Sequence, residues 1–217
     1  MSNRTYHQYC AIARALDVVG DRWVLLIVRE LLGGPKRYVD LQAGLPGIAT
    51  DMLANRLRTL EGDGLVVRRT LPPPAGSKVY ELTARGHDLA PILHELARFG
   101  MPLLGPRSRD EDFRIEWLAN LLPVMFDGDR AGDLELTVQF DVGRDTLHAV
   151  ITGGAIAVAL GPAPEPDVLV TAGVATLARV AAEPGLLGDL VATGKLKVAG
   201  ADAAIERLLA AFTLRNS

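Results

Sequence analysis

Asn55 and Arg56 carry the most specific chemistry in this chain, because an amide and a guanidinium can each make two parallel hydrogen bonds to a base edge in the DNA major groove. They stand among Leu53, Leu57 and Leu60, which recur at i, i+4 and i+7 and define one buried helix face. The spacing is read as leaving Asp51, Met52, Asn55, Arg56 and Thr59 directed away from that face. A second group of cations, Arg68, Arg69 and Lys78, lies beside Pro72-Pro73-Pro74-Ala75-Gly76-Ser77, a stretch that cannot sit inside a sheet. Long cationic side chains on such a hairpin suit phosphates or a minor groove, and because the three cluster with Glu81 as the only adjacent acid, phosphate contact is favoured over a solvated hairpin face.

Other chemistry is not legible. His7, His87, His94 and His148 have no Cys or carboxylate at ligand spacing, so neither a metal nor a cofactor is expected. No nucleophile elbow, phosphate loop or dinucleotide fingerprint occurs, and no enzyme is expected. Gly194-Lys195 lacks the upstream glycine and the following Ser/Thr of a phosphate loop. Cys10 is the single cysteine, so any disulfide must join two chains. It stands at the start of a helix, where a thiol pKa falls, yet among Tyr9, Ala11 and Ile12; redox sensing and ordinary packing both remain open.

The elements that hold these residues follow in one order. Trp23 to Leu31 reads as a helix stopped by Gly33-Gly34-Pro35; Tyr38-Val39-Asp40-Leu41 follows, then the turn Gly44-Leu45-Pro46-Gly47-Ile48 and the helix of Asn55. Leu65 to Arg69 and Val79 to Leu82 are β-prone. This order describes a winged helix-turn-helix. Residues 84–100 form a last helix with Leu89, Ile92, Leu93, Leu96 and Phe99 in one stripe, and Pro91 kinks it or marks its first turn. The stripe either packs on its own domain or makes a homodimer seam with Ile12, Leu16 and Val19. A palindromic operator needs two recognition helices one DNA turn apart, which favours the dimer.

The segment 6–100 resembles the HxlR family of winged-helix transcriptional regulators, close to the MarR regulators. The resemblance rests on Tyr9-Cys10, on Ala15 to Trp23, on Arg29-Glu30-Leu31 and on Gly34 to Leu41. It continues through Leu45-Pro46-Gly47-Ile48, Leu53 to Leu57, Leu60 to Val66, Arg68-Arg69 and Leu82-Thr83-Ala84-Arg85-Gly86. It implies that the helix of Asn55 and Arg56 is the recognition helix, that the terminal helices pair two subunits, and that a cysteine placed like Cys10 can sense oxidants. Lys36, Arg37, Thr50, Asp51 and Met52 join Asn55, Arg56, Arg68, Arg69 and Lys78 as expected contacts to double-stranded operator DNA. Asp51 favours the helix dipole and can alternatively accept from a cytosine amino group.

A chain of 217 residues is comfortable for two domains. Residues 1–100 carry 13 Lys+Arg against 10 Asp+Glu and residues 101–217 carry 10 against 16, net +3 and −6, as expected of domains with different partners. No apolar run is long enough for a membrane span and the first ten residues hold no signal core, so no membrane partner and a cytoplasmic location are expected. The expected division is 1–105 for DNA binding and dimerisation, 106–113 as linker, and 114–217 as a second domain. That domain reads as a helix from Ile115 to Met125 and a meander with Leu134 to Phe140, Leu147 to Ile151 and Ile156 to Leu160. A strand near Asp167 to Thr171 and further helices complete it, giving α+β overall, with an antiparallel meander sheet. Its pattern, with Gly194-Lys195-Leu196-Lys197-Val198-Ala199-Gly200 before the last helix, resembles the sterol-carrier-protein fold. The resemblance implies an apolar effector held by Leu118, Leu122, Leu136, Val138, Ala149, Ile151, Ile156 and Val158. Ala149, Ala155, Ala157 and Ala159 are read as leaving cavity volume, or else as ordinary packing. The functional expectation is a ligand-sensing regulator; the alternative is a lipid carrier whose winged helix only dimerises.

Overall fold

Apolar spacing builds the first unit helix by helix. A computed structural model describes residues 5–212 with Ala75, Pro106, Arg107 and Arg109 excepted, so one residue of the expected wing tip and three of the expected linker lie outside the described residues. The chain forms two compact units, Met1–Leu93 and His94–Ser217. In the first, α1 (Ala11–Val19), α2 (Val24–Leu32), α3 (Tyr38–Ala43) and α4 (Thr50–Gly62) precede a hairpin of β1 (Val66–Thr70) and β2 (Lys78–Leu82). Val24, Ile27, Val28 and Leu31 repeat at i, i+3, i+4 and i+7, and α2 buries all four. They meet Leu41, Leu53, Leu57, Leu60 and Leu82 in one core. Lys36 extends the hairpin by a backbone bridge to Tyr80, each N–H donating to the other's carbonyl at 3.0 and 2.8 Å.

The expected helix over 84–100 is two helices, α5 (Ala84–His87) and α6 (Ala90–Gly100). Pro91 has no N–H to offer the carbonyl of His87, so the first helix stops there and Pro91 enters the first turn of the second. The apolar stripe divides accordingly. Leu89 and Leu93 pack on the first core, whereas Ile92, Leu96 and Phe99 are exposed, Phe99 by 73%. Ala97 and Met101 pack with Val124 and Met125. The second compact unit therefore begins inside α6, ahead of the expected boundary at 105.

In the second unit, α7 (Ile115–Met125) and the short α8 (Gly128–Ala131) lead into β3 (Leu136–Val142), β4 (Asp145–Thr152) and β5 (Ala155–Leu160). There follow β6 (Val168–Ala172), α9 (Val174–Ala182), α10 (Leu187–Ala192), β7 (Leu196–Gly200) and α11 (Asp202–Ala211). The strand order is β5-β4-β3-β6-β7. The first three strands form the antiparallel meander, and Gly153 and Gly154 turn β4 into β5 with φ of 55° and 72°, a turn that side chains with a Cβ resist. The sheet as a whole is mixed, because β6 runs parallel to β3 with Val168 opposite Val138. The connection from β5 back to β6 is held where the Ala163 N–H donates to Gln139 Oε1 at 3.1 Å.

One face of this sheet is the core. Alternate residues Leu136, Val138, Phe140 and Val142 of β3 point inward with Leu147, Ala149 and Ile151 of β4, against Leu118 and Leu122 of α7 and Leu208 of α11. Ile156 and Val158 take the inner side of β5, which turns Ala155, Ala157 and Ala159 outward. Only Ala149 of the four alanines read as cavity-forming lies in the core.

Candidate nucleic-acid interface

The start of α4 is fixed by α3. Tyr38 donates its hydroxyl to the carbonyl of Thr50 at 2.6 Å, and Gln42 Nε2 donates to Thr50 Oγ1 at 2.8 Å. Burial, followed by the nearby Tyr80 and Asp51, raises the Tyr38 phenol pKa and keeps it a donor. Thr50, Asp51 and Met52 are exposed in the first turn, where the Asp51 carboxylate complements the helix dipole. One turn on, Asn55 is exposed and its Oδ1 accepts from Arg58 Nη1 at 2.8 Å, while Thr59 Oγ1 donates back to the Asn55 carbonyl at 3.1 Å. Amide, guanidinium and hydroxyl thus share one open helix face.

Arg56 is not part of that face, contrary to expectation. It stands three residues after Leu53 and next to Leu57, so it flanks the buried stripe. Its Nη2 pairs with Asp21 Oδ2 at 2.5 Å, both side chains one-third exposed, and its Nε is buried without a hydrogen-bond partner among the described residues. Asp21 also accepts from the Trp23 N–H at 3.2 Å, so the pair fastens α4 to the turn between α1 and α2. Arg56 positions the helix. Arg58, which lies five residues after Leu53 and three after Asn55, supplies the outward guanidinium; the same leucine spacing carries that signal.

Lys36 is likewise occupied. Its Nζ donates to Glu30 Oε2 at 2.7 Å, and Arg29 donates to the other oxygen from Nη2 at 2.8 Å and Nε at 3.2 Å. Glu30 is the buried carboxylate here, 2% exposed. A Cβ at Gly44 would fall 2.3 Å from Glu30 Oε2, so only glycine leaves room for the carboxylate. Arg29, Glu30, Lys36 and Gly44 form a buried joint between α2, the turn after α3 and the base of the wing. Arg37 is exposed but lies along its own helix, donating from Nε and Nη2 to the two oxygens of Asp40 at 2.7 and 2.8 Å. That guanidinium holds the Asp40 carboxyl below its ordinary pKa.

On the wing, Arg68 lies over the ring of Tyr80 at 5.7 Å and opposite it in the β1–β2 register. Arg69 pairs with Glu81 at 2.6 Å. Lys78 is exposed and has no ion-pair partner among the described residues. The three cations share the hairpin as expected, with one of them neutralised.

Cys10 is an exposed free thiol in front of α1, beside the fully exposed Tyr9. It does not pack within its own chain. The eight residues expected to hold an effector all belong to the core of the second unit, six buried and Ile156 and Val158 partly so. Among the described residues no three His, Cys, Asp or Glu side chains group as a metal site, and no helix is long and apolar enough to cross a membrane.

Helix α4 held by α3, followed by a cationic hairpin, defines a winged helix-turn-helix protein. Residues 18–108 match the HxlR-like helix-turn-helix family, and residues 111–217 match the family described as alkyl sulfatase C-terminal. The HTH-type transcriptional regulator YvaP of Bacillus subtilis, itself uncharacterised, is 37% identical over 97 residues, which span 45% of this chain and 90% of that relative. The regulator YodB of the same organism is 37% identical over 82 residues, 38% of this chain and 73% of its own. A solved structure assigned to the MarR family, from Porphyromonas gingivalis W83, shares 31% identity with a TM-score of 0.41, covering 45% of this chain and 96% of that one. The chain belongs to the HxlR-like family and is a transcriptional regulator of that type. Its relatives are named as regulators rather than enzymes, and the alkyl sulfatase match concerns a C-terminal domain alone. That match gives the second unit a family label different from the sterol-carrier likeness of its sequence.

Proposed function

We propose that two copies of this chain bind a palindromic operator, each placing the outward face of α4 in a major groove. The observation that carries this reading is the exposed constellation Asn55–Arg58–Thr59, behind Thr50, Asp51 and Met52, on a helix whose start is fixed by two hydrogen bonds from α3. Ile12, Leu16 and Ile92 are exposed apolar side chains of the first unit and supply material for pairing of two copies. Repeated selection of duplexes from a random-sequence pool on the full chain tests this. The expected consensus has two inverted half-sites about 10 bp apart, centre to centre, as the dimeric helix-turn-helix geometry requires. A pool that never enriches, or a consensus without two-fold symmetry, overturns it and leaves the carrier alternative.

The wing supplies the salt-sensitive share of binding in this reading. Lys78→Ala is expected to lower the slope of log affinity against log salt by about 0.9 for each phosphate that the ammonium neutralises. Arg69→Ala should change it less, because Glu81 already neutralises that guanidinium. Fluorescence anisotropy of a selected duplex across a salt series reads both, and an unchanged slope in Lys78→Ala removes the wing from the phosphates.

The second unit senses an apolar molecule, a reading supported by its aliphatic core and by the alkyl sulfatase C-terminal match. A ligand there must enter among side chains that already pack on one another. Linear alcohols from hexanol to dodecanol are therefore suitable probes. The expected result is a shift of DNA affinity by about 5- to 150-fold, the usual range of allosteric coupling. The measurement uses the full chain, because Ala97 and Met101 belong to the second unit's packing and a cut near residue 105 would leave them uncovered.

A further inference from the structure

Thr50, the first residue of α4, is held at two polar groups by one face of α3. Tyr38 and Gln42 stand four residues apart on that helix, so their side chains are neighbours and both reach the same residue. The Tyr38 hydroxyl donates to the Thr50 carbonyl at 2.6 Å, and Gln42 Nε2 donates to Thr50 Oγ1 at 2.8 Å. The first bond fixes the backbone of the helix start. The second fixes the polarity of an exposed hydroxyl. A threonine hydroxyl both donates and accepts, and an oxygen that already accepts one hydrogen is the stronger donor. With Gln42 supplying a hydrogen to Oγ1, the Thr50 O–H is the group left over, and it meets no acceptor among the described residues.

The adjoining Asp51 decides which DNA group suits that donor. Its carboxylate is exposed in the same turn, where a phosphate would meet like charge and a base acceptor would not. Guanine O6 and N7, adenine N7 and thymine O4 are such acceptors in the major groove, whereas the cytosine edge offers only its amino donor.

We propose that Gln42 is a positioning residue that sets base preference, by orienting the Thr50 hydroxyl as a donor to a base acceptor in each half-site. The proposal deepens the reading of α4 as the helix that reads DNA and rests on it. Gln42 differs here from Arg56 and Lys36, whose ion pairs fasten elements to one another, because its bond ends on a group that faces solvent.

Selection from the random-sequence pool with the full chain locates the position. It is the base pair whose preference disappears in Thr50→Val, which keeps the side-chain shape and removes the hydroxyl. Duplexes carrying each of the four base pairs there are then compared by anisotropy. Gln42→Met keeps the length and removes the amide; it is expected to lower discrimination at that position about 2- to 10-fold, the worth of one neutral hydrogen bond. Added to Thr50→Val it should cost nothing more, since the amide acts through the hydroxyl. Gln42→Glu gives the sharper contrast. A carboxylate only accepts, so it takes the Thr50 O–H and leaves lone pairs alone facing the DNA. Preference should then move toward bases that present an amino group, adenine or cytosine, beside an affinity loss common to all four duplexes from the added charge. Preference unchanged in both Gln42 variants overturns the proposal, and so does a consensus unchanged by Thr50→Val. An equal loss on all four duplexes in Gln42→Met, the mark of a residue that only stabilises the fold, overturns it as well. The underlying reading is judged separately: it fails if the unaltered chain enriches no sequence, and it stands if that chain enriches a consensus which the Gln42 variants share.

Discussion

Glu30→Ala is expected to destabilise the first unit by about 3–5 kcal/mol, the usual consequence of removing one partner from a buried ion pair. Glu30 is 2% exposed and Lys36 and Arg29 keep only 17% and 25% of their side-chain surface, so both cations would be left where water reaches them poorly. The loss should reach the wing, because Lys36 also holds Tyr80 by two backbone hydrogen bonds. Gly44→Ala should report on the same joint, since the added carbon meets Glu30 Oε2. The two tryptophans, Trp23 and Trp117, fall one in each unit, so urea unfolding followed by Trp23 fluorescence in a Trp117→Phe background isolates the effect. A loss below about 1 kcal/mol, the size of an exposed pair, would mean that the cluster is hydrated.

Arg58→Ala and Asn55→Ala are each expected to cost about 1–3 kcal/mol on the selected duplex and much less on random DNA, the signature of base contact. Arg56→Ala should behave differently. It releases α4 from Asp21 and so should lower thermal stability, with specific and random DNA losing affinity in similar proportion. Anisotropy titrations against both duplexes separate the cases. Equal losses for Arg58→Ala would place its guanidinium on phosphate alone.

The architecture is legible wherever a periodic apolar face decides it. Val24 to Leu31, Leu53 to Leu60 and the alternation of Leu136 to Phe140 fall where their spacing predicts, and α7 spans Ile115–Met125 as expected. Sequence reasoning fails where a polar side chain chooses between solvent and a distant partner. Lys36 and Arg56 look available for DNA, yet Glu30, six residues back across the α2–α3 turn, and Asp21, in the turn before α2, pair with them, and apolar periodicity announces neither contact. Arg58 is absent from the expected contacts although leucine spacing alone turns it outward. In the second unit the parallel pairing of β6 with β3 depends on a long connection, which periodicity does not report. Ile156 and Val158 take the inner side of β5 as their alternation predicts, so Ala155, Ala157 and Ala159 face outward and leave no cavity in the core.

Base reading by α4 is tested most directly by repeating the random-pool selection with the full-length Arg58→Ala variant. The expected consensus keeps the inverted repeat and its spacing but loses preference at one base pair in each half-site, the position that the guanidinium reads. A consensus identical to that of the unaltered chain would contradict a sequence-reading role for this face of the helix.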